Sequence, residues 1–284
     1  MKSYLSLVPI SAKVRKRQNR MTILCVIISI FLVTAIFSVA DMMIRTQSDR
    51  MTGKNGSWHI ELDGISQETA LKIAERDDVV SIGAVTIFNP DGELPYRMDG
   101  KRVVLYGIDE SYLTMNSTGA AEGRFPQGMG EIMLSSNAAR VLQVAVGDTV
   151  TLRTPSGDWD FTVSGLGGVE ESYYSGQYSL MDAYLPRTAF AALMEQNNVH
   201  NLQTSYYVQF TSASKAAKAI PELTAQHNLP ENAVSENTGV MAIAGHSDSS
   251  AAKNVYSLAA VLFVLVLLAG VLMISGSMNS NLAQ

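Results

Sequence analysis

Residues Met21 to Ala40, MTILCVIISIFLVTAIFSVA, run for twenty positions without a charge and follow a segment carrying Lys13, Arg15, Lys16, Arg17 and Arg20. At about 1.5 Å of rise per residue, such a run crosses the roughly 30 Å hydrocarbon layer as a helix, and the basic flank places its N-terminus in the cytoplasm. Ser38-Val39-Ala40 has the small-x-small character of a cleavage site, but this apolar core exceeds the roughly 7 to 15 residues of a secretory signal. Thr22-Ile23-Leu24 lacks the small residue a lipidation site needs before Cys25, so Cys25 reads as an apolar residue of the span. Val255 to Ile274, VYSLAAVLFVLVLLAGVLMI, is again long enough to cross, and the two spans bracket residues 41 to 254.

With 47% hydrophobic and 17% charged residues, the chain is apolar for a soluble protein and light for a polytopic one, which fits a mixed membrane protein. Of its 21 Lys and Arg, six lie in the first twenty residues, where there is no acid; the 26 acidic residues all follow. The external part is therefore strongly acidic, which excludes a nucleic-acid partner, while the six leading cations suit anionic inner-leaflet lipid. The single cysteine lies inside a span, so the external domain folds without a disulfide, on its core alone.

Residues 3 to 20 begin apolar and turn basic, as expected of a segment lying in the inner headgroup region. Residues 41 to 51 contain no Gly or Pro, so the first helix continues as a stalk towards Gly53. Ser57 to Asp63 alternates as a strand, and Ser66 caps a helix that ends near Asp77-Asp78 with Leu71 and Ala74 on its buried face. Val79 to Phe88 and Arg102 to Gly107 are further strands, which makes a β-α-β-β beginning. Short strands and turns follow from Gly119. Glu131 to Ser135 is a strand and Asn137 to Gln143 a helix, and Thr149–Thr154 pairs with Trp159–Ser164 as a hairpin. In that hairpin Val150, Leu152, Trp159, Phe161 and Val163 face the core, while Thr151, Arg153, Asp160, Thr162 and Ser164 face water. Gly165 to Gln177 reads as a loop and Tyr178 to Leu185 as extended chain. A helix from Pro186 then carries Phe190, Leu193 and Met194 on one face. Tyr206 to Thr211 is a strand, Ser214 opens a helix broken or bent at Pro221, Asn232 to Ser235 is a last strand, and Gly239 to Ser250 a connector.

Signs of catalysis are poor. Lys54 and Lys101 each follow a glycine but lack the spaced glycine and the Ser/Thr of a phosphate-binding loop, and Gly165-Leu166-Gly167-Gly168 lacks dinucleotide spacing. His59, His200, His227 and His246 are scattered as surface histidines without ligand spacing, so no metal or cofactor site is expected. His246, Ser247 and Asp248 adjoin along a connector, whereas a triad needs groups from separate rigid elements. Asn116-Ser117-Thr118 matches the short glycosylation pattern, and Tyr173, Tyr174 and Tyr178 are aromatic loop residues that pack on the domain edge or meet a ligand. No catalytic, cofactor-binding or metal residue is assigned.

Several motifs together carry a resemblance: Glu122-Gly123-Arg124-Phe125-Pro126, Gly130-Glu131-Ile132-Met133-Leu134-Ser135, Ala138-Ala139-Arg140-Val141-Leu142, Gly147-Asp148-Thr149-Val150-Thr151-Leu152 and Phe161-Thr162-Val163-Ser164-Gly165. In these, and in its order of leader, span, external domain and span, the chain resembles ABC transporter permeases of the MacB/FtsX family. The resemblance implies an α+β membrane protein in which two transmembrane helices flank an extracellular α/β porter-like domain with a β-rich insert. Its expected parts are a cytoplasmic leader (1–20), a first span (21–43) with a stalk to about 52, an extracellular core domain (53–250), a second span (251–276) and a cytoplasmic end (277–284). Within the core domain, 53–115 and 200–240 are porter-like and 116–199 the insert.

The same resemblance implies a bacterial cell membrane, with residues from about 44 to 250 outside. It also implies a partner ABC-type ATPase, a dimer of permease units, and an accessory protein or a peptide or lipoprotein substrate. The chain itself is then no enzyme; ATP hydrolysis in the partner moves the external domain for export or mechanotransmission. Family members continue into further spans and an ATPase-contacting loop, so the sequence reads as a piece of a longer permease. The alternative function is a membrane-anchored extracellular sensor or ligand-binding protein.

Overall fold

A computed structural model describes residues 16–116, 119–167, 180–230, 232–243 and 251–279. It falls into two compact units, one formed by the chain up to Ser48 together with the segment from Ser250, the other by Asp49–Ser249. The first unit holds most of helix α1 (Lys16–Asn55) and all of α8 (Ala251–Asn279). Both helices are long and apolar enough to cross a membrane. They meet through small residues, with Ala40 and Ala259 buried and the Phe37 and Phe263 rings 5.9 Å apart. Leu24, Ile30, Phe31, Leu265 and Leu272 are exposed, as side chains directed at lipid would be.

The outer unit is a mixed sheet with two regimes. Strands β1 (Ile60–Leu62), β2 (Val79–Phe88), β10 (Thr204–Phe210) and β11 (Val234–Glu236) lie in the order β11-β1-β10-β2, every neighbour antiparallel. Helix α2 (Gln67–Ala74) links β1 to β2, and α6 (Ala213–His227) links β10 to β11. The pair of β-α-β units with interleaved strands is the ferredoxin-like arrangement. One face of this open sheet carries the helices: Ile60, Leu62, Tyr206, Val208 and Phe210 pack against Ala70, Ile73, Ala216, Ala219 and Leu223.

Strand β2 then passes the sheet to β4 (Lys101–Ile108), where the second regime begins. From β4 the pairing runs through β3 (Arg97–Met98), β7 (Thr149–Thr154), β8 (Gly157–Gly167), β6 (Glu131–Leu134) and β9 (Leu180–Pro186), and β9 pairs back in parallel onto β4. Six strands thus close into a barrel, which removes the free edges an open sheet would leave. Leu105, Ile132, Leu134, Leu152, Phe161, Val163 and Leu185 fill it, each at most 1% exposed. Two short helices, α3 (Glu110–Met115) and α4 (Ser136–Leu142), and the longer α5 (Arg187–Gln196) pack around the sheet, and β5 (Ala120–Gly123) adds to β8.

The motifs that carried the resemblance are largely the joinery of this barrel. Arg124 donates to both oxygens of Glu131, whose Oε2 also accepts the N–H groups of Gln127 and Gly128 at 2.9 and 3.2 Å. Four such donors hold the Glu131 carboxyl down at about 2, the Arg124 bond being the largest cause. Gly123 (φ +72°) and Gly165 let β5 cross β8 closely; a Cβ at Gly165 would lie 2.4 Å from the Arg124 carbonyl oxygen. Ser135 caps α4 by accepting the Ala138 N–H at 3.1 Å, and Asp148 Oδ2 accepts the Ala145 N–H at 2.8 Å.

Several sequence expectations change. Helix α2 ends at Ala74 and buries Ala70 and Ile73, while Leu71 is 58% exposed, because the small Ala70 lets the helix sit close on the sheet. Ser164 is buried, not wet, since β5 and β6 flank that end of β8 and its hydroxyl donates to the Ile132 carbonyl. Gly165 to Gly167 belong to β8 rather than to a loop. Ser212, not Ser214, caps α6, which runs unbroken through Pro221. Within the expected connector, Thr238–Ile243 forms helix α7, with Met241 buried in the ferredoxin-like core.

Candidate functional site at the chain crossings

The chain enters the outer domain at the end of α1 and leaves it after β11, and one buried side chain ties the two segments together. Asn237, 3% exposed, donates through Nδ2 to the carbonyls of Asn55 (3.2 Å) and Trp58 (2.9 Å). Its own N–H donates to the His59 carbonyl, and its carbonyl accepts the Met241 N–H, both at 2.9 Å. Two glycines make room. Gly56 turns the chain at φ +82°, where a Cβ would lie 2.7 Å from the Met115 carbonyl oxygen. At Gly239 a Cβ would lie 2.2 Å from the Asn55 amide nitrogen. Incoming helix, first strand and outgoing helix therefore share one hydrogen-bonded knot.

His59 lies inside it, buried, with Nδ1 accepting the Phe210 N–H at 3.2 Å; this fixes the ring proton on Nε2 and keeps the imidazole neutral. Burial lowers its pKa. The expectation of an ordinary surface histidine fails here, because β1 brings His59 under the core of the open sheet. On the opposite sheet face, Tyr207 donates to Glu61 at 2.7 Å. Burial raises the Glu61 pKa against that bond, with the Asp63 charge adding, and burial again raises that of Tyr207.

Beside the knot lies a cleft of about 470 Å³ lined by Trp58, Tyr106, Tyr112, Tyr207, Glu236 and Asn237. Trp58 and Tyr112 each meet the Tyr207 ring nearly edge-on, at 4.9 and 5.0 Å. Gly83 brings α3 down onto this face, since a Cβ there would lie 2.5 Å from the Tyr112 nitrogen. Asp109 caps α3, accepting the Tyr112 and Ala84 N–H groups at 2.9 Å each.

This arrangement contains no nucleophile and base in sequence with an orienting group; it is built to hold two chain segments in register. Of the other candidates, His200 is exposed, His227 lies half-exposed in the last turn of α6, and the Asn116 amide donates to the Tyr112 carbonyl at 3.0 Å. Ser117, Thr118, Tyr173, Tyr174, Tyr178, His246, Ser247 and Asp248 lie outside the described residues. Among the described residues no three His, Cys, Asp or Glu side chains converge as metal ligands. The knot itself escaped the sequence, although the pairing of Asn237 with a following helix start was its one available signal.

An open ferredoxin-like sheet continued into a closed six-stranded barrel, in a chain with a membrane-length helix on either side of it, is the architecture of a membrane-anchored domain. The chain belongs to the family of the MacB-like periplasmic core domain, whose family model matches residues 21–226, the extracytoplasmic domain of ABC transporter permeases. Three solved structures are similar to it. The periplasmic region of MacB from Actinobacillus actinomycetemcomitans has 14% identity and a TM-score of 0.49 over 69% of this chain and 96% of that one. The extracellular domain of the noncanonic ABC-type transporter YknZ from Gram-positive bacteria has 16% identity and a TM-score of 0.44, over 63% and 98%. A domain of a permease protein from Porphyromonas gingivalis has 16% identity and a TM-score of 0.41, over 65% and 88%. No curated protein matches the sequence.

Proposed function

We propose that this chain is the part of an ABC transporter permease that turns ATP hydrolysis in a partner subunit into movement of an extracytoplasmic domain, for export or mechanotransmission. The observation that carries the reading is the Asn237 knot, which ties the end of α1 to the segment leading towards α8 in a domain of the MacB-like family. A pull on the end of α1 is thereby felt at Asn237 and at the start of β1. The basic leader sets the N-terminus in the cytoplasm, beside the ATPase. Residues 53–115 and 200–240 act as the porter-like body and 116–199 as a β-rich insert, in a dimer of permease units. The chain performs no catalysis of its own.

The test is co-purification of the full chain with an ABC ATPase from its own cells, followed by transport and ATPase assays of a Thr46→Pro variant. Proline there removes an i to i−4 hydrogen bond within α1 and costs about 3 kcal/mol locally. ATPase activity should persist while transport falls at least tenfold. Unchanged transport would make α1 a simple tether, and the absence of any ATPase partner would sink the reading.

A further inference from the structure

A second cleft, of about 370 Å³, opens on the helix-bearing side of the sheet where the ferredoxin-like half meets the barrel. Thr86 on β2 and Thr204 on β10 form its polar wall, their hydroxyls 2.7 Å apart. Helix α5 forms the other side, with Arg187 in its first turn, Phe190 and Met194 facing inward, and Glu195 near its far end. Phe190 can approach the sheet because residue 107 is glycine; a Cβ there would lie 2.4 Å from the ring. Val199 and Leu202 complete an apolar floor, and His200 is exposed at the rim.

Arg187 is the unusual member. It is half-buried, and among the described residues it makes no ion pair. Its guanidinium lies 5.9 Å from the centre of the Tyr206 ring, which steadies it without neutralising it. Asp109 is near enough to act on it electrostatically, but both Asp109 oxygens already accept backbone N–H groups. A partly desolvated guanidinium with no ion-pair partner among the described residues offers a fork of donors suited to a planar oxyanion.

We infer that this cleft binds a small organic carboxylate, the anionic group on Arg187 and an apolar body along Phe190, Met194, Val199 and Leu202. A phosphate dianion suits it less, because Arg187 is the single cation in the lining and Glu195 stands about 12 Å further along α5, eight residues at 1.5 Å each. Because the walls come from β2 and β10 on one side and α5 on the other, a bound carboxylate holds the ferredoxin-like half and the barrel together. This site is independent of the Asn237 knot and of the identity of any ATPase.

The experiment uses the full chain in lipid nanodiscs with ¹³C-methyl methionine, the Met194 resonance being assigned from a Met194→Leu sample. N-acetyl-leucinate and its uncharged match, N-acetyl-leucinamide, are titrated in the millimolar range. The carboxylate should move the Met194 methyl signal saturably and the amide should not. Arg187→Gln should weaken carboxylate binding at least tenfold with the remaining methionine signals in place. Glu195→Gln should strengthen it about threefold, by removing a like charge at modest screening, a gain that a misfolded variant cannot produce. Equal response to acid and amide, no response to either, or unchanged binding in Arg187→Gln would each overturn the assignment.

Discussion

The two halves of the outer domain solve the same problem differently. The barrel pairs every one of its six strands around a ring, and its hydrophobic cluster of residues such as Leu105, Ile132, Phe161 and Leu185 has only small polar side chains, Ser135, Thr154 and Ser164, buried beside it. Its ion pair of Arg124 with Glu131 sits at the surface and fastens a turn. The ferredoxin-like half is open, and burial shifts the titration of His59, Glu61, Asp109 and Tyr207 within it. Those groups cluster where the chain enters and leaves. The closed half is suited to act as a rigid body, and the open half to register what happens at its attachments.

The largest effect should come from breaking the closed half. Phe161 is 1% exposed in the barrel core, so Phe161→Ala should destabilise the domain by about 3–5 kcal/mol in denaturant unfolding. Next comes a pair that contrasts two glycines at the end of α1. Gly56→Ala meets a positive φ and the Met115 carbonyl and should cost about 2 kcal/mol or more, whereas Gly53 has open space around it and Gly53→Ala should be neutral or slightly stabilising. A smaller loss there at Gly56 than at Gly53 would dissolve the notion of a tight crossing.

The pH dependences separate the halves further. His59 has a folded pKa below its unfolded 6.5, so the stability it contributes is full above pH 6.5 and is lost as pH falls below it. Thermal unfolding should report that loss, and His59→Gln should remove it. Glu131 is depressed from 4.5 to about 2, so its contribution is present above pH 4.5 and disappears between there and about pH 2. Glu131→Gln should flatten stability in that lower window alone.

Much of this architecture was legible. The hairpin faces of β7 and β8 follow from strict alternation, and the buried stripe of α5 from helical spacing. Leu71 misled because Leu71 with Ala74 and Ala70 with Ile73 fit the same three-residue spacing, and only the distance to the sheet chooses between them. Strand β3 is two residues long, too short for any period to register. Asn237 and Arg187 stayed hidden for another reason. Asn237 bonds Asn55, some 180 residues away in sequence, and Arg187 shares its cleft with Thr86, some 100 residues away, and topology alone brings each beside the other.

The central claim is that Asn237 locks incoming and outgoing segments into one unit, and native-state hydrogen exchange of the full chain in nanodiscs addresses it most directly. Removing a buried amide that satisfies two carbonyls costs about 1–3 kcal/mol, roughly ten- to a hundredfold in local opening. In Asn237→Ala, amides of Ser57–His59 and Val240–Met241 should therefore exchange about ten to a hundred times faster, while those of Ile132–Leu134 and Phe161–Val163 in the barrel stay unchanged. Exchange that is unaltered at the crossings, or that rises equally in the barrel, would contradict the account.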